Sequence, residues 1–209
     1  MGINHFWPFL LTALLFTMTP GLDTIFILNK SIGQGHKAGL YSTLGINTGV
    51  LVHTLFAALG LSLIVAQSAI AFAILKYLGA AYLLYLGVQK LRSKQALVAI
   101  DAADQPPTSD RQNFVSGVVT NVLNPKVALF FLAFFPQFIE PTALNNPLPF
   151  LLLGLTYAAI GVLWFTLLTM FAAYFAARVM QRPAASTWLN RISGGAFILM
   201  GLKVALTRR

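Results

Sequence analysis

Residues 6–28 read FWPFLLTALLFTMTPGLDTIFIL, an apolar run long enough to cross a bilayer, yet broken at Thr19-Pro20-Gly21 and carrying one carboxylate, Asp23. Proline removes a backbone donor and disfavours the helical conformation of the residue before it. The run therefore predicts two half-helices, the second with Thr19 as N-cap and Pro20 at its first position. Free N–H groups at such a start carry positive dipole character and form a ready anion site. Gly21 adds permissive backbone that lets a small molecule come close. The same device returns 105 residues later, at Asn124-Pro125-Lys126 inside the run 114–139, where Asn124 is the expected cap.

Working outward, six apolar runs are separable: 6–28, 39–66, 69–89, 114–139, 148–177 and 188–206. Of the 209 residues 57% are hydrophobic and 9% charged, against about 25% charged in a soluble domain. That composition excludes an ordinary soluble globule and predicts an all-α membrane protein of six transmembrane helices. The first run lacks a basic leader and is followed by more apolar sequence, so it reads as a retained helix and not a signal peptide. The second and fifth runs exceed one crossing and must tilt, bend or project. Residues 90–113 carry Pro106-Pro107 and seven charges. The chain thus divides into a first three-helix repeat, 1–95, a cytoplasmic linker, 96–113, and a second three-helix repeat, 114–209. Three spans per half force the halves to enter the membrane from opposite sides, and matched broken helices in inverted halves point to a transport site near the midplane. The second and fifth runs start 109 residues apart and the third and sixth 119 apart, so the halves keep their order but drift in spacing.

The net charge of +9 is explained by loops. Lys30 and Lys37 lie in loop one, Lys90, Arg92, Lys94 and Arg111 in loop three, and Arg178, Arg182 and Arg191 in loop five, while loops two and four have no Lys or Arg. The alternation places the odd loops in the cytoplasm and both termini outside. The basic tail, Lys203 with Arg208 and Arg209, opposes that assignment, and the loop pattern outweighs it. No basic tract interleaved with aromatics argues for nucleic acid. The absence of cysteine excludes disulfides, thiolate chemistry and Cys metal sites. No cofactor or metal is expected.

Charge inside a bilayer costs at least ~2.5 kcal/mol per residue, so each instance needs a reason. Asp23 gains from the helix dipole as a first-turn carboxylate, and intramembrane acids also line pathways. Lys126, second in its helix, opposes the dipole and requires something negative nearby. Two arrangements answer this: a permanent Asp23–Lys126 ion pair, or a zwitterion held with its ammonium on Asp23 and its carboxylate on Lys126 and free N–H groups. Ser42, Gly45, Gly49, His53 and Gly60 share one helical stripe, with Gly45 and Gly49 as a close-packing pair. His53 is thus interior, either a hydrogen-bonded packing residue or, with Asp23, a candidate proton relay. Asn47, Thr43 and Thr54 form a second polar stripe. Lys76 is read as snorkelling, and Tyr77, Tyr82 and Tyr85 as packing or interfacial residues.

TPGLD at 19–23, GQGHKAGLYSTLGINTGVLVHTLFAALGL at 33–61, KYLGAAYLLYLG at 76–87 and FVSGVVTNVLNPKVALFFLAFFPQF at 114–138, in that order, resemble the LysE superfamily of bacterial amino-acid exporters, specifically its RhtB-type branch. Leu22 stands where the family often has a second proline. The resemblance implies a small exporter in the bacterial inner membrane, driven by the proton gradient and dimeric, with neutral amino acids such as threonine, homoserine or leucine as typical cargo. The expected binding residues are Asp23, Lys126, Gly21, Asn124 and Asn47, with Thr19, Pro20 and Pro125 shaping the breaks. A cationic substrate such as lysine would want a second acid, and Asp23 is the only one well inside a run. A passive channel would want a ring of like charges rather than one acid and one base. An intramembrane enzyme would need an HExxH, a Gly-x-Ser-x-Gly or paired carboxylates, none of which is present.

Overall fold

The computed structural model describes residues 2–61, 69–92, 108–175 and 183–206. Among these the protein is all-helical: α1 is Phe6–Met18, α2 Leu22–Phe56 with a π-helical end at Ala57–Leu61, and α3 Ala69–Arg92. After Thr108 come α4, Asp110–Val122, and α5, Pro125–Leu129, which continues as a π-helical turn, Phe130–Phe134, and a 3-10 turn, Phe135–Phe138. The chain ends with α6, Pro147–Met170, a short α7, Ala172–Phe175, and α8, Pro183–Leu206. Leu22–Gly60 and Pro147–Met170 are long and apolar enough to cross a membrane, and α4 with the 125–138 helix forms a broken pair bent by 49°.

Helix starts follow ordinary capping chemistry. Ser109 and Gln112 form a reciprocal capping box at α4, and Asn146 caps α6 with Pro147 in its first turn. The sixth run starts earlier than its apolar pattern suggests, because Pro183 suits a first helical turn.

Loop one is absent as a loop. Helix continues through residues 29–38, broken only at Gly35, whose φ of 86° is open to glycine and strained for other residues. The contacts on either side show that the chain reverses there. Before Gly35 the pairings with the 108–124 segment run antiparallel, since Asp23 meets Asn121 and Asn124 while Lys30 meets Thr108. After it they run parallel, as Gly45 meets Phe114 and Gly49 meets Asn121. A Cβ on Gly39 would collide with the Ser31 hydroxyl, although eight residues of straight helix span about 12 Å. α2 is therefore two arms, 22–34 and 36–56, folded on a single glycine.

The tip of this hairpin is tied to the end of the 96–113 segment, of which 96–107 lie outside the described residues. Gln34 Oε1 accepts from the Thr108 backbone and hydroxyl at 3.3 and 2.7 Å, and Lys37 pairs with Asp110 at 2.7 Å. His36 Nδ1 meets the Thr169 carbonyl at 3.0 Å, which brings the end of α6 to the same side. The N-terminus lies against the far end of the broken helix: Asn4 N–H donates to Phe138 O, Glu140 N–H to Gly2 O, and Ile3 bridges Ile139.

The core is aromatic. Phe130, Phe131, Phe134, Phe135 and Phe138 are each at most 1% exposed, and Phe16 from α1 stacks on Phe130 at 4.1 Å between centroids. This packing anchors the two broken segments to each other. α2 approaches α4 through Gly45 and Gly49, where a Cβ would meet the Phe114 carbonyl or the Asn121 side chain, so the small-residue pair acts as the stripe predicts. α3 and α8 cross at Gly87 and Gly194, where a Cβ on either would lie within 3 Å of the other's carbonyl oxygen.

Candidate functional site

The two breaks meet, and they are built differently. At the second, Asn124 is the N-cap of α5: its Oδ1 accepts from Lys126 N–H at 3.0 Å, with Pro125 at the first helical position. At the first, Thr19 is not an N-cap. It ends α1, its hydroxyl turned back onto Leu15 O at 2.7 Å, and α2 starts after Gly21 with no side-chain cap. The reason is local: the Thr19 hydroxyl is consumed by the preceding turn, and Pro20 then lies in neither helix. Gly21 has φ −156° and ψ −163°, extended backbone open to any residue, so its predicted conformational role is also corrected.

Asp23 and Lys126 both line the space between the breaks, but no ion pair joins them among the described residues. The Lys126 ammonium instead reaches across to α1 and donates to Phe16 O at 3.0 Å and Thr19 O at 2.9 Å. It lies 4.5 Å from the centre of the Phe16 ring and 5.6 Å from that of Phe197. The negative partner that its position demands is thus the carboxyl end of a half-helix, favourable by both hydrogen bonding and dipole. Asp23 answers symmetrically. From the first turn of α2 its oxygens accept from Asn121 Nδ2 at 2.9 Å and Asn124 Nδ2 at 3.1 Å, so each half of the chain holds the charge of the other. Because Asn124 Oδ1 is committed to the cap, its Nδ2 must face Asp23, which fixes the amide's orientation.

The cavity between the breaks is lined by Thr19, Gly21, Asp23, Asn124 and Lys126 from the breaks and by Asn47, Val50, Tyr157, Gly161 and Phe165 from the flanking helices. Its free volume of ≈ 10 Å³ is room for about one water, so larger guests require the surrounding helices to move apart. All five predicted binding residues are here, with the break residue Thr19. His53 is not among the lining residues. Its Nε2 lies 3.1 Å from the Asn121 carbonyl, which only accepts, so that nitrogen carries the proton, and its ring stacks on Phe131. It connects to Asp23 through Asn121 rather than by direct contact. Lys76 lies outside the site, its ammonium 4.6 Å from the Tyr77 ring centre.

Sequence reasoning missed Asn121, Tyr157 and Gly161. Asn121 stands three residues before Asn124, one helical turn away, and an intramembrane amide at that spacing was a usable signal. Gly161 follows Gly154 by seven residues, a two-turn repeat, and Gly154 packs on Thr54. Tyr157 carried no signal beyond its aromaticity.

Comparison with known proteins gives the chain's family. The family model described as LysE type translocator matches residues 14–208. A homoserine/homoserine lactone efflux protein of Salmonella typhi is 34% identical over 100% of this chain and 99% of its own. A leucine efflux protein of Salmonella choleraesuis is 27% identical over 98% and 96%, and a membrane protein of Vibrio cholerae 34% identical over the full length of both. No solved structure matches the chain. The chain belongs to the LysE-type translocator family, as a multi-pass protein of the bacterial inner membrane that transports and is not an enzyme.

Proposed function

We propose that this protein exports neutral amino acids of the threonine, homoserine or leucine type by proton antiport, as a homodimer of six-span subunits with two inverted halves. The observation that carries the reading is a cavity between two helix breaks, lined by one carboxylate and one ammonium contributed by opposite halves of the chain. A zwitterion is the solute class that complements such a pair. Its ammonium would take Asp23, and its carboxylate Lys126 together with the uncapped N–H groups that open α2. A single carboxylate whose oxygens already accept two amides favours a neutral cargo over lysine or arginine. The names of two relatives, a homoserine and a leucine efflux protein, support the same class. Dimerisation and the use of protons rest on the resemblance alone.

The test is flux from proteoliposomes. Saturable efflux of a neutral amino acid that accelerates when a proton gradient is imposed fits the carrier; efflux linear in concentration and indifferent to the gradient would make it a channel. Orientation is checked by single cysteines, which the chain lacks naturally. Because Leu144 is buried, the outer label belongs on its exposed neighbour as Asn145→Cys, paired with Ala103→Cys in the central linker. An impermeant reagent should modify only the former; modification of Ala103→Cys alone reverses the topology, and modification of both rejects six spans.

A further inference from the structure

The α3–α8 pair carries polar groups on its inner face that neither helix break uses. On α8, Asn190, Ser193, Gly194 and Phe197 are all buried, and their steps of three, one and three residues form one inward stripe. The ring centre of Phe197 lies 5.6 Å from the Lys126 ammonium and 5.6 Å from the centre of Phe16. Seven residues of helix carry the stripe about 10 Å from there to Asn190, toward the end of the pair that holds Lys90, Arg92 and Arg191. The two helices touch at Gly87 and Gly194. Lys90 is one turn beyond the first glycine and Asn190 one turn before the second, so the antiparallel pair brings them to the same level. Lys90 is half-buried and shares its side of α3 with the buried Leu83 and Gly87.

Two features of this face have no explanation within the fold. Asn190 is 2% exposed, and neither its Oδ1 nor its Nδ2 has a hydrogen-bond partner among the described residues. A buried amide unpaired at both ends is costly, and turning it round gains nothing. Lys90 pairs with no carboxylate among the described residues, and it stands close enough to Lys126 for the two ammoniums to act on each other. Asp23, the acid that Lys126 feels, already accepts from Asn121 and Asn124. Two like charges away from bulk water repel, and an anion between them turns repulsion into attraction. An amide N–H beside them suits the same anion. Resting on the zwitterion reading above, we infer that Lys90 and Asn190 form a second carboxylate-binding station, about two turns of α8 from Lys126 on the side that the loop charges assign to the cytoplasm, which holds the cargo's carboxylate before Lys126 receives it. Asn190 Nδ2 donates to the carboxylate, Lys90 supplies the charge, and Phe197 separates the station from the cavity. Passage requires Phe197 to leave the Phe16 ring, so α3 and α8, locked at their two glycines, move as a pair.

The experiment places a cysteine at Ser193, between the two stations, in the otherwise cysteine-free full chain in inside-out membrane vesicles. Two impermeant methanethiosulfonates are applied, an anionic sulfonate and a cationic trimethylammonium, with Ala103→Cys as the reference. Relative to that reference, Ser193→Cys should favour the anionic reagent by about tenfold, because the field of two lysines raises its local concentration. Saturating L-leucine, L-homoserine or L-threonine, whichever the wild type carries, should slow the reaction. Adding Lys90→Gln should return the preference to that of the reference. In a second measurement, Lys90→Gln and Asn190→Leu should each raise KM from the linker side by about tenfold, with kcat changed less. No reaction at Ser193→Cys, a preference equal to the reference, or one that Lys90→Gln leaves unchanged overturns the station while leaving the exporter reading intact. Slowing by anionic lipid in place of the amino acid assigns Lys90 to headgroups and overturns it likewise. Absence of flux for all three amino acids in the wild type rejects the exporter reading itself. Should Ser193→Cys fail to assemble, the KM values decide, and an unchanged KM in both variants overturns the station.

Discussion

The two helix breaks look alike in sequence and differ in construction. At 124–126 the break is closed chemically: an asparagine caps the new helix, proline occupies its first turn, and the lysine that follows leaves its own helix to reach the other. At 19–21 nothing caps α2, and the threonine that could have done so serves α1. One break is held by side-chain hydrogen bonds, the other by proline alone and by the charge sent across from its counterpart. A Pro-containing interruption therefore specifies that a helix stops, and the flanking polar residue decides which of the two helices it serves.

The reciprocal bracing gives the largest expected effect. Asp23 accepts from two amides and Lys126 donates to two carbonyls, with no ion pair between them. Removing a permanent pair in full would relieve both members, whereas removing groups held by separate partners does not. Asp23→Asn and Lys126→Gln should each lower export per molecule by about a hundredfold or more, since a buried group stripped of its partner costs ~3–5 kcal/mol and the zwitterion loses an anchor. The double variant should not regain export. Near wild-type export by it, normalised to the amount in the membrane, would make both residues scaffolding.

Much of this was readable from the chain. The positions of both breaks, the five residues around the cavity and the close approach at Gly45 and Gly49 follow from proline chemistry, the cost of intramembrane charge and helical periodicity. Three things were not. The partner of Lys126 is backbone, and carbonyls are present at every position, so no residue type advertises it. Asn121 is neutral, so its insertion cost does not mark it as Asp23 is marked, and only its one-turn spacing from Asn124 points to it. The hairpin at Gly35 hides inside a segment that reads equally as a loop with two lysines or as continuous helix, and only the sense of its pairings with α4 distinguishes them.

A second test separates the prolines. Pro125 is at a first helical position, where its missing N–H would be unpaired anyway, and the Asn124 cap persists without it. Pro125→Ala should change export by no more than about twofold, in keeping with a capping contribution of ~1 kcal/mol that stays in place. Pro20 has no such support. Pro20→Ala restores a donor and removes the ring that forbids α1 from running on, at a position where proline costs a helix interior ~3 kcal/mol. Export should drop by about tenfold, with less change in membrane abundance. Equal effects of the two substitutions would show that the breaks are held in the same way after all.

The smallest effect is expected at the glycine. Asn124→Ala removes a cap and one of the two donors to Asp23, so it should lower the thermal stability of the purified protein, by ~0.5–2 kcal/mol for the cap alone, and weaken export with it. Gly21→Ala removes neither. Its backbone is extended, and the added Cβ would lie 3.5 Å from the Lys126 side chain, an ordinary contact. Restricting the unfolded chain contributes ~0.4–1 kcal/mol where the native conformation suits alanine, so stability should hold or rise slightly. Export should remain within about twofold, since the uncapped N–H groups of α2 are untouched and Lys126 need not move. A loss of export as large as that of Asn124→Ala, with stability unchanged, would mean that the cargo itself presses against Gly21. The uncapped break would then be open because the substrate's carboxylate occupies the place that a capping side chain fills at the other break.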